Sequence, residues 1–168
     1  MTDSLKIYTY PDPILRDKAK PIENIDGDTQ TLVDGMANIM YAAPGIGLAA
    51  TQVGKPLQLI TYDLSPRDEK RNLSVLINPK IILAEGSTIH EEACLSVIDF
   101  SAEVTRRAKI KVQGVDRNGN PVDIEAENLL AICLQHEIDH LNGILFIDHI
   151  SSLKRSLYKR KLKKMKNS

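Results

Sequence analysis

The stretch LQHEIDHLNG, from Leu134 to Gly143, constrains this chain more than any other. It lies in a strongly apolar run from Glu127 to about Asn142 that reads as a helix, with Gly143 as its stop. On a helix, His136 and His140 stand at i and i+4. They share one face, with Cβ atoms roughly 5–6 Å apart. That spacing lets two imidazoles grip one ion. Glu137 is rotated off the ligand line and can lie beside a water next to the ion rather than bind the ion itself. A catalytic site of this kind needs a third protein ligand and one open position. The rest of the chain must therefore bring a further residue to this helix.

HExxH is the helix pattern of zinc proteases, but the usual downstream ligands are missing. In the longer form HExxHxxGxxH, Gly143 fits and the third histidine falls on Phe146. No glutamate follows His140, and the only acidic residue after it is Asp148. His149 lies beyond the helix end with no spacing to recommend it. Upstream, Cys94 in HEEACLSV follows a strand-like stretch, in a segment that reads as a strand edge or tight turn. A thiolate there is a strong ligand. His90 reads as a half-exposed strand histidine. Cys133, three residues before His136, shares a face with it and can approach the site. Flanked by Ile132 and Leu134, it also reads as a small apolar packing side chain.

A chain of 168 residues suits one domain, here 1–168. Its 42% hydrophobic and 26% charged residues and zero net charge carry no bias toward DNA or membrane. No apolar run approaches the roughly 18 residues of a membrane span. The opening MTDSLKIYTYPDP lacks the apolar segment of a secretory signal, so a reducing cytoplasmic setting is expected, with Cys94 and Cys133 as thiols. Helical spacing of Leu32, Met36, Ile39 and Met40 predicts a helix over about Asp28 to Tyr41. LQLITYDL and SVLINPKIILAEG read as strands. VTRRAKIKVQGVDRNGNPVDIEAE reads as a hairpin turning at Asn118-Gly119, and Ser151 to Met165 as a basic helix. Strands precede the motif helix without a βαβ rhythm. The expected class is α+β, with antiparallel sheets around a central helix carrying HExxH and one helix toward each end.

Three separated segments, GIGLAATQ (Gly45–Gln52), EACLS (Glu92–Ser96) and QHEIDHLNG (Gln135–Gly143), resemble in order and spacing the three motifs of the peptide deformylases, GxGLAAxQ, EGCLS and QHExDH. That family removes the N-terminal formyl group from nascent proteins. The resemblance implies Cys94, His136 and His140 as metal ligands and Glu137 as general base and acid. It also implies Gln52 and the Leu95 N–H as donors to the oxyanion. Leu129, Ile132 and Cys133 align with an apolar methionine pocket. Gly45, Gly47 and Ala93 align with the substrate-binding stretches. Glu92 and Arg106 align with an ion pair bracing the metal loop. The implied cofactor is one divalent ion, natively Fe2+, with Zn2+, Ni2+ or Co2+ able to substitute. The implied substrates are N-formyl-methionyl nascent peptides.

The chain departs from the family pattern at Ala93, where a glycine is usual, at Ile98 for a proline, at Ser101 for an arginine and at His90 for an apolar residue. These bear on peptide preference more than on chemistry. Eight Lys and Arg residues between Lys154 and Lys166, with no acid among them, suit a solvated helix face or contact with RNA. The resemblance implies the ribosome as that partner. Two other readings stand beside the enzyme. A metallopeptidase lacks its third ligand, because position 146 is Phe146 and no glutamate follows His140. Against a deformylase-like, non-catalytic metal- or ribosome-binding protein stand Glu137 and Gln52, since a closed structural site needs neither and wants a fourth protein ligand.

Overall fold

The computed structural model describes residues 5–167. The expectation drawn from the N-terminal stretch rests in part on residues 1–4, which lie outside them.

Helix α1, Gly27–Ala42, runs one residue further at each end than its apolar spacing predicts. The Asp26 side chain starts it by accepting from the Thr29 N–H at 3.0 Å. Its buried face, Leu32, Val33, Met36 and Met40, packs on Leu48, Leu59 and Ile77. These belong to three strands, β1 (Gly47–Ala49), β2 (Leu59–Tyr62) and β3 (Ser74–Glu85). Next come β4 (Thr88–Cys94), β5 (Val97–Arg106), β6 (Lys109–Val115), β7 (Pro121–Glu127), helix α2 (Asn128–Leu141) and helix α3 (Ser152–Lys166).

Two sheets form, both antiparallel: a five-stranded one in the order β1-β2-β3-β6-β7, and the separate pair β4-β5. This is the expected α+β arrangement, with α2 at its centre. Strand β2 is buried along its whole length because helices cover both its faces. Leu59 joins the α1 cluster, while Ile60 and Tyr62 join Leu134, Ile138 and Leu141 of α2. Residues around nearly the full circumference of α2 are buried, from Ala131 through Gln135 and again at Glu137, Ile138, His140 and Leu141. A helix apolar on most sides belongs inside.

The hairpin read over Val104–Glu127 is narrower in the structure. Val115 pairs with Pro121 across the Asp116–Asn120 turn, as expected, but Val104–Arg106 belong to β5 and pair with β4. Strand periodicity alone does not show where the chain leaves one sheet for another. Pro79, in the central strand β3, is tolerated because the ladder shifts register between Ile77 and Lys80. The Asn78 side chain there bonds both the N–H and the C=O of Ile22, at 2.8 and 2.9 Å.

A third cluster closes the molecule below the β4-β5 pair. Val97, Ala102 and Val104 pack with Leu145, Phe146 and Ile147, and with Tyr158 and Leu162 of α3. Tyr158 stacks on Phe100 at 4.6 Å between centroids, and its hydroxyl donates to the Ile98 carbonyl. The basic face of α3 is left outside.

Gly143 ends α2 with φ at +73°, and a Cβ there would stand 2.5 Å from the Arg16 carbonyl oxygen. Left-handed backbone costs an L-residue about 1–2 kcal/mol, and the contact with rigid backbone adds to it. Gly143→Ala is therefore expected to lower unfolding stability by roughly 2–3 kcal/mol. Its denaturation midpoint beside that of the parent checks this; an unchanged midpoint would refute the strain.

Candidate metal centre and active site

Cys94 closes β4, and Leu95 and Ser96 form the tight turn into β5, where Cys94 pairs with Val97. This is the strand edge and turn that the sequence predicts. Helix α2 presents His136 and His140 to the turn. The Cys94 Sγ and one ring nitrogen of each histidine lie within 4.8 Å of one another. His140 Nε2 stands 3.3 Å from Cys94 Sγ, and the two imidazoles meet edge to face at 5.0 Å.

Each histidine is held differently. His136 Nδ1 lies 2.8 Å from Glu92 Oε1. A carboxylate only accepts, so Nδ1 carries the proton and Nε2 is the atom left for the site. Arg106 grips the same carboxylate twice, at 2.7 and 2.8 Å, and reaches Asp139 at 2.6 Å. Burial raises the pKa of Glu92, but hydrogen bonds from Arg106 and His136 outweigh it and hold the group at about 2. Glu92 and Arg106 are thus a buried pair rather than solvated charges.

Burial opposes charge on His136, yet its contacts with Cys94 and Glu92 carry its pKa well above the ordinary value. A divalent ion held at Nε2 would compete with protonation there, because metal ligands must be deprotonated. Burial, then the charge of His136, push His140 well below the ordinary value, so it is neutral and ready to ligate.

Glu137 is buried, and its Oε2 has no hydrogen-bond partner among the described residues. Its Oε1 lies 3.8 Å from His136 Nε2. Desolvation pushes its pKa up to about 7, the range that suits a group taking and returning protons near neutrality. Gly47 makes room for it: a Cβ there would stand 2.9 Å from Cys133 Sγ and 3.1 Å from Glu137 Cγ. One sulfur and two imidazoles make a donor set that fits one divalent ion with an open position, and Glu137 Oε2, without a hydrogen-bond partner among the described residues, stands in the same cleft.

Gln52 is buried in the turn after β1. Its Nε2 donates to Ser96 Oγ at 3.0 Å and lies 3.6 Å from Cys94 Sγ, while its Oε1 accepts from the Ala49 N–H. The N-terminal segment straps this region down, with Tyr8 N–H on the Gln52 carbonyl and Tyr10 N–H on the Ser96 carbonyl. Gly45, Gly47, Gln52, Ala93, Cys94, Leu95, Leu129, Ile132, Cys133, His136 and Glu137 all line one cleft of about 840 Å³. His140 is buried and reaches the same centre through Cys94. Cys133 is both a packing residue and a cleft wall.

His149 is not at this centre; its Nε2 is 2.9 Å from Asp139 Oδ2. Phe146, in the position of the missing protease histidine, stacks on the His136 ring at 6.1 Å. Sequence reasoning overlooked Ser96 and Asp139. Asp139 lies three residues after His136, a spacing that places it near the same helix face; Ser96 closes the EACLS segment, and that motif match is its one signal.

No helix among the described residues is long and apolar enough to cross a membrane. The family model for polypeptide deformylase matches residues 4–156. The peptide deformylase of Mesorhizobium japonicum is 53% identical over 160 residues, covering 95% of this chain and 91% of that one. That of Thermodesulfovibrio yellowstonii is 52% identical over 162 residues, covering 96% and 98%. The Legionella pneumophila peptide deformylase structure superposes with a TM-score of 0.91 at 45% identity, covering 98% of this chain and 96% of that one. The Ehrlichia chaffeensis peptide deformylase in complex with actinonin gives 0.92 at 37% identity, covering 99% and 100%. With its thiolate, two histidines and glutamate gathered at one cleft, the chain belongs to the peptide deformylase family.

Proposed function

We propose that residues 1–168 form a single catalytic domain that hydrolyses the N-terminal formyl group of formyl-methionyl nascent peptides, releasing formate and a free amine. The observation that carries this reading is the set of three metal-ligand atoms within 4.8 Å of one another, with a buried, unpartnered glutamate oxygen at the same cleft. Cys94, His136 and His140 hold the ion. Iron(II) is the proposed native metal, with zinc, nickel or cobalt able to replace it, since thiolate and imidazole suit all four. When bound, the ion would supply Lewis acidity and lower the pKa of a water beside it toward neutrality.

The chain's own residues do the rest. Leu129, Ile132 and Cys133 receive the methionine side chain in an apolar wall. Gly45, Gly47 and Ala93 line the cleft where the peptide backbone lies. Gln52 Nε2 and the Leu95 N–H donate to the formyl oxygen as negative charge gathers there. Glu137 takes a proton from the attacking water as its oxygen bonds to the formyl carbon. It returns that proton to the nitrogen as the C–N bond breaks. The cytoplasm, where nascent chains emerge, is the proposed setting. The basic face of α3 is proposed to meet ribosomal RNA. DNA and membrane are not proposed as partners. A buried carboxylate oxygen with no hydrogen-bond partner among the described residues disfavours a closed, non-catalytic site, which has no use for one.

Protein purified without oxygen should carry about one equivalent of metal and release formate from a formyl-Met peptide; peptide cleavage without formate would point to a protease instead. Glu137→Gln should keep its metal while kcat falls roughly 10²–10⁴-fold. Near-normal turnover would remove Glu137 from the assigned role. Gln52→Ala should lose roughly 10²–10³-fold in kcat, read from the same formate assay. Because Tyr158 and Leu162 are core residues, α3 is better tested by charge reversal than by truncation. Replacing Lys159, Lys163, Lys164 and Lys166 with Glu should abolish salt-sensitive co-sedimentation with ribosomes while formate release from short peptides persists. Unchanged co-sedimentation would argue against the contact.

A further inference from the structure

His149 lies past the end of α2 and takes no part in the reaction described above. Yet it begins a continuous chain of hydrogen bonds that ends at the metal centre. Its Nε2 is 2.9 Å from Asp139 Oδ2. The same oxygen accepts from Arg106 Nη1 at 2.6 Å. Arg106 then grips both oxygens of Glu92, and Glu92 Oε1 receives His136 Nδ1–H at 2.8 Å. Side-chain exposure falls along this path, from 36% at His149 to 21% at Asp139 and 4% at Arg106 and Glu92. His149 is therefore the most exposed member of the network.

Each link restricts the next. The guanidinium is a rigid planar fork, so the pull of Asp139 on Nη1 sets the direction of the other two donors. Glu92 Oε1 serves both Arg106 Nη2 and His136 Nδ1–H. A turn of the guanidinium therefore displaces the acceptor that orients the His136 ring. Stacking on Phe146 holds the plane of that ring, but a half-turn about Cβ–Cγ keeps the same plane and exchanges Nδ1 with Cδ2; the bond to Glu92 selects between the two. At the outer end, Asp139 is a carboxylate at the protein surface with two donors on one oxygen. The imidazole fixes its rotamer and keeps water from competing for Arg106. Because a carboxylate only accepts, His149 Nε2 carries the proton. The 3.4 Å approach of Arg106 Nη1 to the same nitrogen is then a contact between two donors, not a hydrogen bond.

We propose that His149 is a positioning residue that, through Asp139, Arg106 and Glu92, fixes the orientation of His136 from the protein surface. This rests on the reading of His136 as a metal ligand. The readouts are chosen so that the two ideas fail separately. In the full-length, zinc-loaded protein, His149→Phe keeps a ring of similar size and removes the donor. Zinc loss to a chelator should quicken roughly three- to tenfold, below the 10–100-fold typical of a direct partner of a ligand. Exchange of the His136 Nδ1–H with solvent, followed by NMR on histidine-labelled protein, should quicken alongside. His149→Gln, whose side-chain amide can again donate to Asp139, should move both rates back toward the parent. A purely structural role would lower thermal stability and leave both rates, measured on folded protein, where they were.

Parent-like zinc loss and parent-like exchange in His149→Phe overturn the proposal. If that variant does not fold, His149→Leu carries the same two readouts with a smaller side chain. A parent protein that binds no zinc overturns the assignment of the ligands instead. The exchange of His136 Nδ1–H in zinc-free protein still decides whether His149 governs the ring.

Discussion

The buried guanidinium of Arg106, held between Glu92 and Asp139, is the interaction on which the arrangement of the site depends. Strands β4 and β5 form a sheet of only two strands, too little to be stable alone. Yet this pair carries Cys94, and α2 carries both histidines. Arg106 on β5, Glu92 on β4 and Asp139 on α2 join the two pieces through charge-assisted hydrogen bonds. A buried ion pair adds little net stability against an apolar substitute, because desolvation offsets its attraction. Its value here is geometric. It allows one docking of the hairpin on the helix, because any other leaves a charge unpaired in the interior.

Apolar packing supplies the energy that this ionic joint does not. Val97, Ala102 and Val104 seat the hairpin on Phe146, Ile147 and α3. Phe146 contributes twice, as core and as the ring against His136. Protease helices of the longer form HExxHxxGxxH place a ligand in the sequence position Phe146 occupies. In this chain that position is filled by hydrophobic surface, and the third candidate ligand, Cys94, comes from a strand far away in sequence. Gln52 and Ser96 complete the joint from the other side, tied to one another and strapped by the N-terminal segment.

The elements themselves were legible. The HExxH helix, the basic terminal helix, the helix at Gly27–Ala42 and the turn at Asn118-Gly119 follow from local periodicity and turn chemistry, which act over a few residues. So did the class, since strands without a βαβ rhythm leave few antiparallel alternatives. Less legible was the partition of strands between sheets. Val104–Arg106 read as the start of the following hairpin because alternation is the same in any sheet. The buried state of Glu92 and Arg106 was equally hidden, since two charges on exposed strands look the same in sequence. His149 fitted no motif, because its partner Asp139 is reached only when the chain folds back past Gly143.

The sequence by itself determined which groups this protein can bring to a reaction. Two imidazoles one helical turn apart, a glutamate beside them and a thiol in a turn follow from residue type and helical spacing alone. The three motifs together identified the family. Only the tertiary structure decided that these groups meet at one centre and in what state. The 4.8 Å gathering of sulfur and ring nitrogens, the burial that moves Glu137 to about 7, and the carboxylate that orients His136 join residues some forty positions apart. Charge state and ligand geometry depend on burial and on such distant partners, and these exist only once the chain is packed.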